Sequence, residues 1–432
     1  VIRRTTAAGD SVGLPTALLL ATSFMYGGAF VFALPGYSHL RPDAHWYLAT
    51  LNFSEATVLS GLFATLLGLA GFALGCGAFT ARRLPPRARA PLRIDPGFRR
   101  KLFALIAVIV CTGLILHAAR VSFPMSAAIL QVTRNLAVAL ICLGAALVVL
   151  GVGRRGLARW YVLAALLPAY FLLVWGFVSY GFVVFTIYAG FWLAVLRPPG
   201  LARWKIALSS AAILYLLLVL FVAWMSFRAE VRGVIWHGGD LSARLAVLWR
   251  ALSGIELLGP GNLAALDWLA IRLNQTMMVG KVVEWHAHHP ELRLHGATLW
   301  VVALAWVPRL FWPGKPEMGG SAFMAEHTGR SFSESSTFGS GPVIEFYVNF
   351  GYPGIFLGFV ALGLCLRWLD RRASTALRRG DLFGFLIWFT AGIAFIAPKS
   401  MMMFVGSSAL MALILLGALR TVVLTRRTLR VA

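Results

Sequence analysis

Long apolar runs separated by short polar links recur from one end of the chain to the other. Most of them reach roughly 17–25 residues, the length that an α-helix needs to cross about 30 Å of hydrocarbon. The pattern therefore predicts an all-α polytopic integral membrane protein with about ten transmembrane helices. The predicted spans are residues 14–34, 56–79, 102–119, 136–153, 160–178, 180–196, 206–227, 351–366, 382–398 and 401–419.

These spans divide the chain into three parts. Residues 1–227 form an N-terminal bundle of seven spans, residues 228–350 form one large loop, and residues 351–432 form a C-terminal bundle of three spans. A loop of this length is usually functional rather than a simple connection. We therefore expect folded structure outside the hydrocarbon in the loop.

One run inside the loop leaves the number of spans open. Ala297–Trp312 is apolar, but it is only about 16 residues long and contains Pro308 and Arg309. We interpret it as an interfacial or re-entrant element. The alternative is that it crosses the membrane together with a second run around Leu245–Leu266, which would give about twelve spans.

Composition and charge agree with the membrane prediction. Hydrophobic residues make up 59% of the chain and the mean hydropathy is +0.79. The net charge is +23, and the cations collect in the links that alternating spans place on one side of the membrane. The positive-inside rule then predicts that both ends of the chain lie in the cytoplasm. A basic face beside anionic lipid explains the charge, so we expect the bilayer and no nucleic acid as a partner.

The densest candidate chemistry lies in residues 306–354, on the opposite, nearly neutral side. Cations, acids, aromatics, glycines and prolines are interleaved there. Arg309 falls inside an apolar run, where a guanidinium is costly unless it is paired or bound to an anion. A forked guanidinium matches phosphate oxygens, so the pattern favours a phosphate-bearing ligand at the bilayer edge. The alternative is that Arg309 and Lys315 only reach lipid headgroups.

Three short motifs in this region resemble a known family. They are Val307-Pro308-Arg309, then Trp312-Pro313-x-Lys315-Pro316, then Glu345-x-Tyr347-x-Asn349-Phe350-Gly351 before a glycine-rich span. The sequence from about Arg272 to Gly363 resembles the Wzy-type repeat-unit polymerases of O-antigens and exopolysaccharides, which are related in fold to the O-antigen ligases.

The resemblance implies a GT-C-like glycosyltransferase of the bacterial inner membrane with a periplasmic active site. It would join oligosaccharide repeat units carried on undecaprenyl pyrophosphate, without a metal or another cofactor. A polysaccharide co-polymerase that sets chain length would be a further partner. Arginine and lysine could then neutralise the leaving diphosphate.

Residue types and the resemblance together assign candidate roles. The catalytic candidates are Glu345 as general base, His327 as a second choice for that base, and Arg309. Glu345 could instead form an ion pair with an arginine, and a lone loop histidine often has no role. The candidates for binding substrate or pyrophosphate are Arg272, Lys315, Arg330, Arg120, Arg134, Tyr347 and Asn349.

Other kinds of site are disfavoured by the sequence. The histidines of Trp285–Pro290 and His295 lack the spacing of a zinc site, so we predict no metal. No nucleotide or dinucleotide fingerprint is present in the sequence. Two alternatives to the polymerase remain: an O-antigen ligase that transfers glycan to lipid A core, and a transporter or flippase for lipid-linked sugars. The spans are almost free of charge, which argues against transport through the midplane.

Overall fold

The computed structural model describes eleven stretches of the chain, and regular structure within them is helical throughout. The described residues are 10–27, 53–78, 96–118, 126–151, 156–175, 178–198, 200–253, 273–304, 307, 320–332 and 339–428.

Fourteen α-helices lie in the described residues, together with a π-helical turn at Trp192–Leu196 and a 3₁₀ turn at Pro290–Leu292. The helices are α1 Leu14–Tyr26, α2 Glu55–Gly77, α3 Pro96–Ala118, α4 Ser126–Gly151, α5 Leu157–Trp175, α6 Val178–Phe191, α7 Arg203–Trp236, α8 Leu241–Ser253, α9 Thr276–His288, α10 Ala297–Ala303, α11 Gly320–Thr328, α12 Gly341–Arg379, α13 Leu382–Ala394 and α14 Met402–Thr428.

The helices confirm a helical membrane protein. Each of the ten predicted spans overlaps one of them. Six helices in the described residues are long and apolar enough to cross a membrane: Glu55–Gly77, Ile129–Leu150, Leu157–Val174, Trp204–Phe221, Gly341–Arg379 and Met402–Val423. Three shorter apolar helices accompany them: Leu14–Tyr26, Tyr180–Leu196 and Leu382–Ala394. The exact number of crossings stays a prediction.

Several helices extend beyond their apolar runs. α4 begins ten residues before the predicted start at 136, and α7 continues nine residues past the predicted end at 227. The extra turns of α7 are stabilised by packing rather than by lipid, because Val231 and Ile235 bury themselves against Val247 of α8. Hydropathy detects only the part of a helix that meets hydrocarbon.

Helix α2 packs along α12 at the centre of the bundle. A Cβ atom at Gly68 would lie 3.1 Å from the Phe359 ring, and one at Gly75 would lie 2.2 Å from the Val360 carbonyl oxygen. Small residues therefore let the two backbones approach closely. Residue numbers rise together along the contact, with Gly68 near Ile355 and Cys76 bonded to the Gly363 carbonyl. The two helices run in parallel, as both the ten-span and the twelve-span topologies require.

The bundle has a basic end, which we define by Asp10, Arg367, Asp370 and Arg420. Arg367 is 1% exposed and bonds the carboxylates of Asp10 and Asp370, each at 2.8 Å. Asp370 Oδ1 also accepts the backbone N–H groups of Val12 and Leu14. This ion network fastens the start of α1 to the last third of α12.

Candidate functional site

The opposite end of the bundle brings the described loop residues together. Gln275 N–H donates to the Met25 carbonyl at 3.1 Å, and the Tyr26 hydroxyl donates to the Pro398 carbonyl at 3.1 Å. The segment before α10 contacts the first part of α12, where Leu294 N–H donates to the Val348 carbonyl at 3.0 Å. We call this region the loop end. It contains Tyr26, α9, α10, and residues 341–351 and 398–402.

A cavity of about 550 Å³ opens at the loop end between α4, α6 and the turn that joins α13 to α14. Its wall is largely apolar, with Val138, Ile187, Ile393 and Val405 among the lining residues. The cations among its described lining residues are Arg134 and Lys399, and none of those lining residues is acidic. The cavity therefore combines a hydrophobic wall with positive charge.

Helix α4 supplies the polar face of this cavity. Gln131, Arg134, Asn135 and Val138 recur at intervals of three and four residues, so they share one face of the helix. The Arg134 guanidinium lies 4.2 Å from the centre of the Tyr180 ring and bonds the Gln131 side chain. Cation–π contact fixes this guanidinium without neutralising it. It remains available to an anion.

Glu345 and Asn349 form a buried polar cluster on the first part of α12, where Asn349 Nδ2 donates to the Glu345 carbonyl oxygen at 2.7 Å. Glu345 is 0% exposed, and its Oε2 accepts the Met402 N–H in the first turn of α14 at 2.6 Å. Asn349 Nδ2 donates to Thr298 Oγ1 at 2.6 Å, and its Oδ1 accepts the Gly296 N–H at 2.9 Å. Glu345 does not line the cavity, but it anchors the helix α14 that does.

Helix α12 is broken directly after this contact. Phe350 and Gly351 leave the helical region, and Gly351 has φ 65°, which favours glycine. Carbonyls freed by the break are bonded from the segment before α10: Arg293 Nη1 donates to the Tyr347 carbonyl at 2.8 Å. The Arg293 guanidinium also lies 4.6 Å from the centre of the Tyr347 ring. Arg293 therefore caps the first part of α12.

A pair of buried histidines lies in the same region. His286 Nε2 and His327 Nδ1 are 3.2 Å apart, and the two residues are 2% and 1% exposed. Burial, reinforced by the repulsion that a protonated His327 and the Arg293 guanidinium exert, lowers the pKa of His286 to about 4. Burial also lowers the pKa of His327, and the Glu326 carboxylate partly opposes this. Both rings are therefore neutral near pH 7.

The structure places six of the ten candidate residues. Glu345, His327, Tyr347 and Asn349 meet at the loop end around α12. Arg134 lines the cavity. Arg330 lies 4.7 Å from the centre of the Phe53 ring. The remaining four, Arg309, Arg272, Lys315 and Arg120, lie outside the described residues.

Sequence reasoning missed some members of these clusters. Asn135 and Tyr180 line the cavity, and His286 pairs with His327. The spacing of Gln131, Arg134 and Asn135 on an apolar helix was a usable signal, because it predicts one polar stripe. His286 gave no comparable signal, since its partner is 41 residues away. Among the described residues, no group of three or more His, Cys, Asp or Glu side chains could hold a metal ion.

Comparison with known proteins identifies the family only. A family model described as a domain of unknown function, DUF8712, matches residues 64–430, which include the cavity-lining helices α4 and α6 and the whole of α12. No curated protein and no solved structure matches the chain. Because the matched segment covers most of its length, the chain belongs to the DUF8712 family.

Proposed function

We propose that this protein is a polysaccharide polymerase of the bacterial inner membrane, which joins oligosaccharide repeat units carried on undecaprenyl pyrophosphate at the periplasmic face. The single observation that carries the proposal is the cavity at the loop end. It places the Arg134 and Lys399 side chains against a largely apolar wall between helices of the bundle.

The cavity has the chemistry of a site for an anionic amphiphile. A polyprenyl chain fits apolar walls, whereas its diphosphate requires cations that can neutralise several oxygen charges. A guanidinium in a water-poor setting binds phosphate far more strongly than it does at an exposed surface. Arg309, Lys315, Arg272 and Arg120 are proposed to add to this positive field.

The reaction needs only these groups and a proton acceptor. A sugar hydroxyl of the acceptor unit attacks the anomeric carbon of the donor, and the bond from that carbon to the diphosphate oxygen breaks. Arg134 and Lys399 stabilise the charge that develops on the leaving diphosphate. Glu345 and His327 are alternative candidates for that proton acceptor, and Arg330, Tyr347 and Asn349 are the proposed sugar or phosphate contacts.

The proposed orientation puts the basic end in the cytoplasm. Arg371, Arg372 and Arg379 follow the apolar part of α12, and Arg420 lies near the end of α14, so basic groups of two spans share one end. The positive-inside rule favours this end as cytoplasmic. The loop end, with the cavity, then faces the periplasm, where lipid-linked repeat units are polymerised. A reporter fused after Gly320 should be exposed outside the cytoplasm.

A reconstitution experiment tests the proposal. The purified full chain is placed in lipid nanodiscs and supplied with lipid-pyrophosphate-linked repeat units extracted from the producing bacterium, without nucleotide. A ladder of longer glycans is expected. Transfer only onto lipid A core would select the ligase, and movement of the lipid-linked sugar across proteoliposomes without any longer product would select the transporter.

A further inference from the structure

We propose that the Asn135 amide and the Ser408 hydroxyl bind a phosphate group of the ligand in the cavity at the loop end. This inference rests on the proposed function, in which that ligand is a prenyl diphosphate, and it adds two binding residues to the site. The observation that carries it concerns two buried atoms of the cavity wall. Asn135 Nδ2 and Ser408 Oγ have no hydrogen-bond partner in the part of the chain that the structure describes, and both residues line the cavity.

The two side chains come from different helices that pack against each other. Asn135 lies on α4, on the polar face that also carries Arg134. Ser408 lies on α14, one turn after Phe404 and Val405, which line the cavity as well. α4 packs against α14, and both residues lie within about the first three turns of their helices. The two groups therefore belong to two walls of the same cavity.

Burial makes both groups costly unless something bonds them. Asn135 is 6% exposed and Ser408 is 4% exposed. A serine in a helix often bonds the carbonyl three or four residues earlier, and the neighbouring Ser407 donates to the Phe404 carbonyl at 3.1 Å. Ser408 makes no such bond within the described residues. Since a buried polar group without a partner lowers stability, apolar side chains would serve packing better at both positions.

Their place in the cavity distinguishes these two groups from other buried polar atoms. Thr390 Oγ1 on α13 is also buried and without a partner among the described residues, but Thr390 does not line the cavity. Of the atoms of this kind in the described chain, only those of Asn135 and Ser408 belong to residues that line it. A ligand in the cavity therefore contacts these two groups and not Thr390.

The chemistry of the wall selects a ligand rich in hydrogen-bond acceptors. The Gln131 side-chain oxygen already accepts the Arg134 guanidinium, and none of the described lining residues is acidic. The open groups are the amide donor of Asn135 and the hydroxyl of Ser408, beside the charges of Arg134 and Lys399. Phosphate oxygens accept hydrogen bonds and carry negative charge, so one phosphate group can satisfy these donors and neutralise the cations.

The apolar part of the cavity identifies the rest of the ligand. Val138 lies one turn from Asn135 and Val405 lies one turn from Ser408, so apolar surface flanks both donors. The complementary ligand is a phosphate group on an apolar tail, which describes a prenyl diphosphate and also an anionic phospholipid. The diphosphate carries more charged oxygen atoms for two cations and two neutral donors to bind, which favours it.

The test measures binding and stability separately. The full chain is placed in phosphatidylcholine nanodiscs, and farnesyl diphosphate is titrated in by calorimetry. Asn135→Leu and Ser408→Ala should each bind it at least about tenfold more weakly than wild type, because each loses a hydrogen bond to a charged group. The matched control is Thr390→Val, which removes a buried hydroxyl that no described residue bonds and that lies outside the cavity wall. It should bind like wild type.

Melting temperatures without ligand separate a binding role from a structural one. All three variants should melt at or above the wild-type temperature, because each removes a buried polar group that no described residue bonds. Weaker binding in a protein of undiminished stability is the expected result for Asn135→Leu and Ser408→Ala. If Asn135→Leu does not fold, Ser408→Ala decides, since it removes a single oxygen atom.

The remaining outcomes separate this inference from the proposed function. Wild-type affinity in both cavity variants overturns the inference and leaves the proposed function intact. A wild type that does not bind farnesyl diphosphate overturns the inference together with the cavity as the diphosphate site. Nanodiscs that contain phosphatidylglycerol distinguish the two ligand sources. Equal competition by that lipid, with the same losses in both variants, supports the phosphate contacts and overturns the diphosphate assignment. The predicted losses in a protein that makes no longer glycan support the contacts and overturn the polymerase.

Discussion

The Glu345 carboxylate accepts a 2.6 Å hydrogen bond from the Met402 N–H, and this contact joins the first part of α12 to the start of α14. The same first turns of α14 line the cavity through Phe404 and Val405. A residue proposed for chemistry thus also holds the cavity wall in place.

Substitution of Glu345 separates these two functions. Glu345→Gln keeps an acceptor for the Met402 N–H, so its melting temperature and most of its chain extension should persist. Glu345→Ala leaves that buried N–H unpaired and should lower the free energy of unfolding by about 1–3 kcal/mol. Thermal unfolding in nanodiscs and the ladder assay measure both. Complete loss of extension at every pH in a stable Glu345→Gln protein would identify Glu345 as the base.

The free energy of unfolding should fall when one methyl group is added where α9 packs closely on α2. Gly280→Ala would push a Cβ atom to within 1.7 Å of the Thr57 carbonyl oxygen, and such overpacking costs about 1–3 kcal/mol. The matched control is Gly417→Ala in α14, where no described atom beyond the helix's own adjacent backbone lies within 4 Å of the added carbon. The control should be neutral or slightly stabilised. Equal melting temperatures for the two variants would show that this contact does not hold α9.

The ion network at the basic end should be a main determinant of stability. Arg367→Met leaves Asp370 buried beside the N–H groups of Val12 and Leu14 without its guanidinium, and removal of one partner of a buried pair costs about 3–5 kcal/mol. Arg379→Met, at the exposed last residue of α12, should change stability by less than about 0.5 kcal/mol. Unfolding monitored by intrinsic fluorescence compares the two. An Arg367→Met protein as stable as the control would contradict the assignment.

The histidine pair should make stability depend on pH. Because the folded-state pKa of His286 is about 4, below its ordinary value of 6.5, the unfolded chain binds more protons between these values. The stability contributed by neutral His286 is thus complete above about pH 6.5 and is lost as the pH falls towards 4. His286→Gln should flatten this part of the stability curve. An unchanged slope between pH 6.5 and pH 4 would contradict the burial of a neutral ring.

The sequence predicts the helices better than the contacts between them. Apolar runs predict a helix at each of the ten proposed spans, and six helices in the described residues are long and apolar enough to cross a membrane. They do not predict that α2 runs parallel to α12, since this depends on small residues such as Gly68 and Gly75 that fit only a particular partner. They also do not predict the break at Gly351, which depends on the bond from Arg293 to Tyr347.

At the candidate site, too, the sequence predicts single residues better than the contacts between them. Residue type and the family resemblance together predict Glu345 and His327 as candidate bases, and the position of Arg134 beside an outer link predicts that it can reach phosphate. Their partners Met402, His286 and Tyr180 come from distant parts of the chain. Only the fold brings such pairs together, so their geometry could not be predicted from spacing.

The most direct measurement of the central claim is chain extension by an Arg134→Ala protein beside an Arg159→Ala control. Arg134 lies on an aromatic ring in the cavity, whereas Arg159 lies 5.6 Å from the centre of the Trp160 ring at the start of α5. Loss of a group that stabilises the leaving diphosphate should slow extension by at least about 100-fold. Both proteins should insert and unfold like wild type, and only Arg134→Ala should fail to produce a ladder. A full ladder from Arg134→Ala at the wild-type rate would show that the cavity is not the diphosphate site.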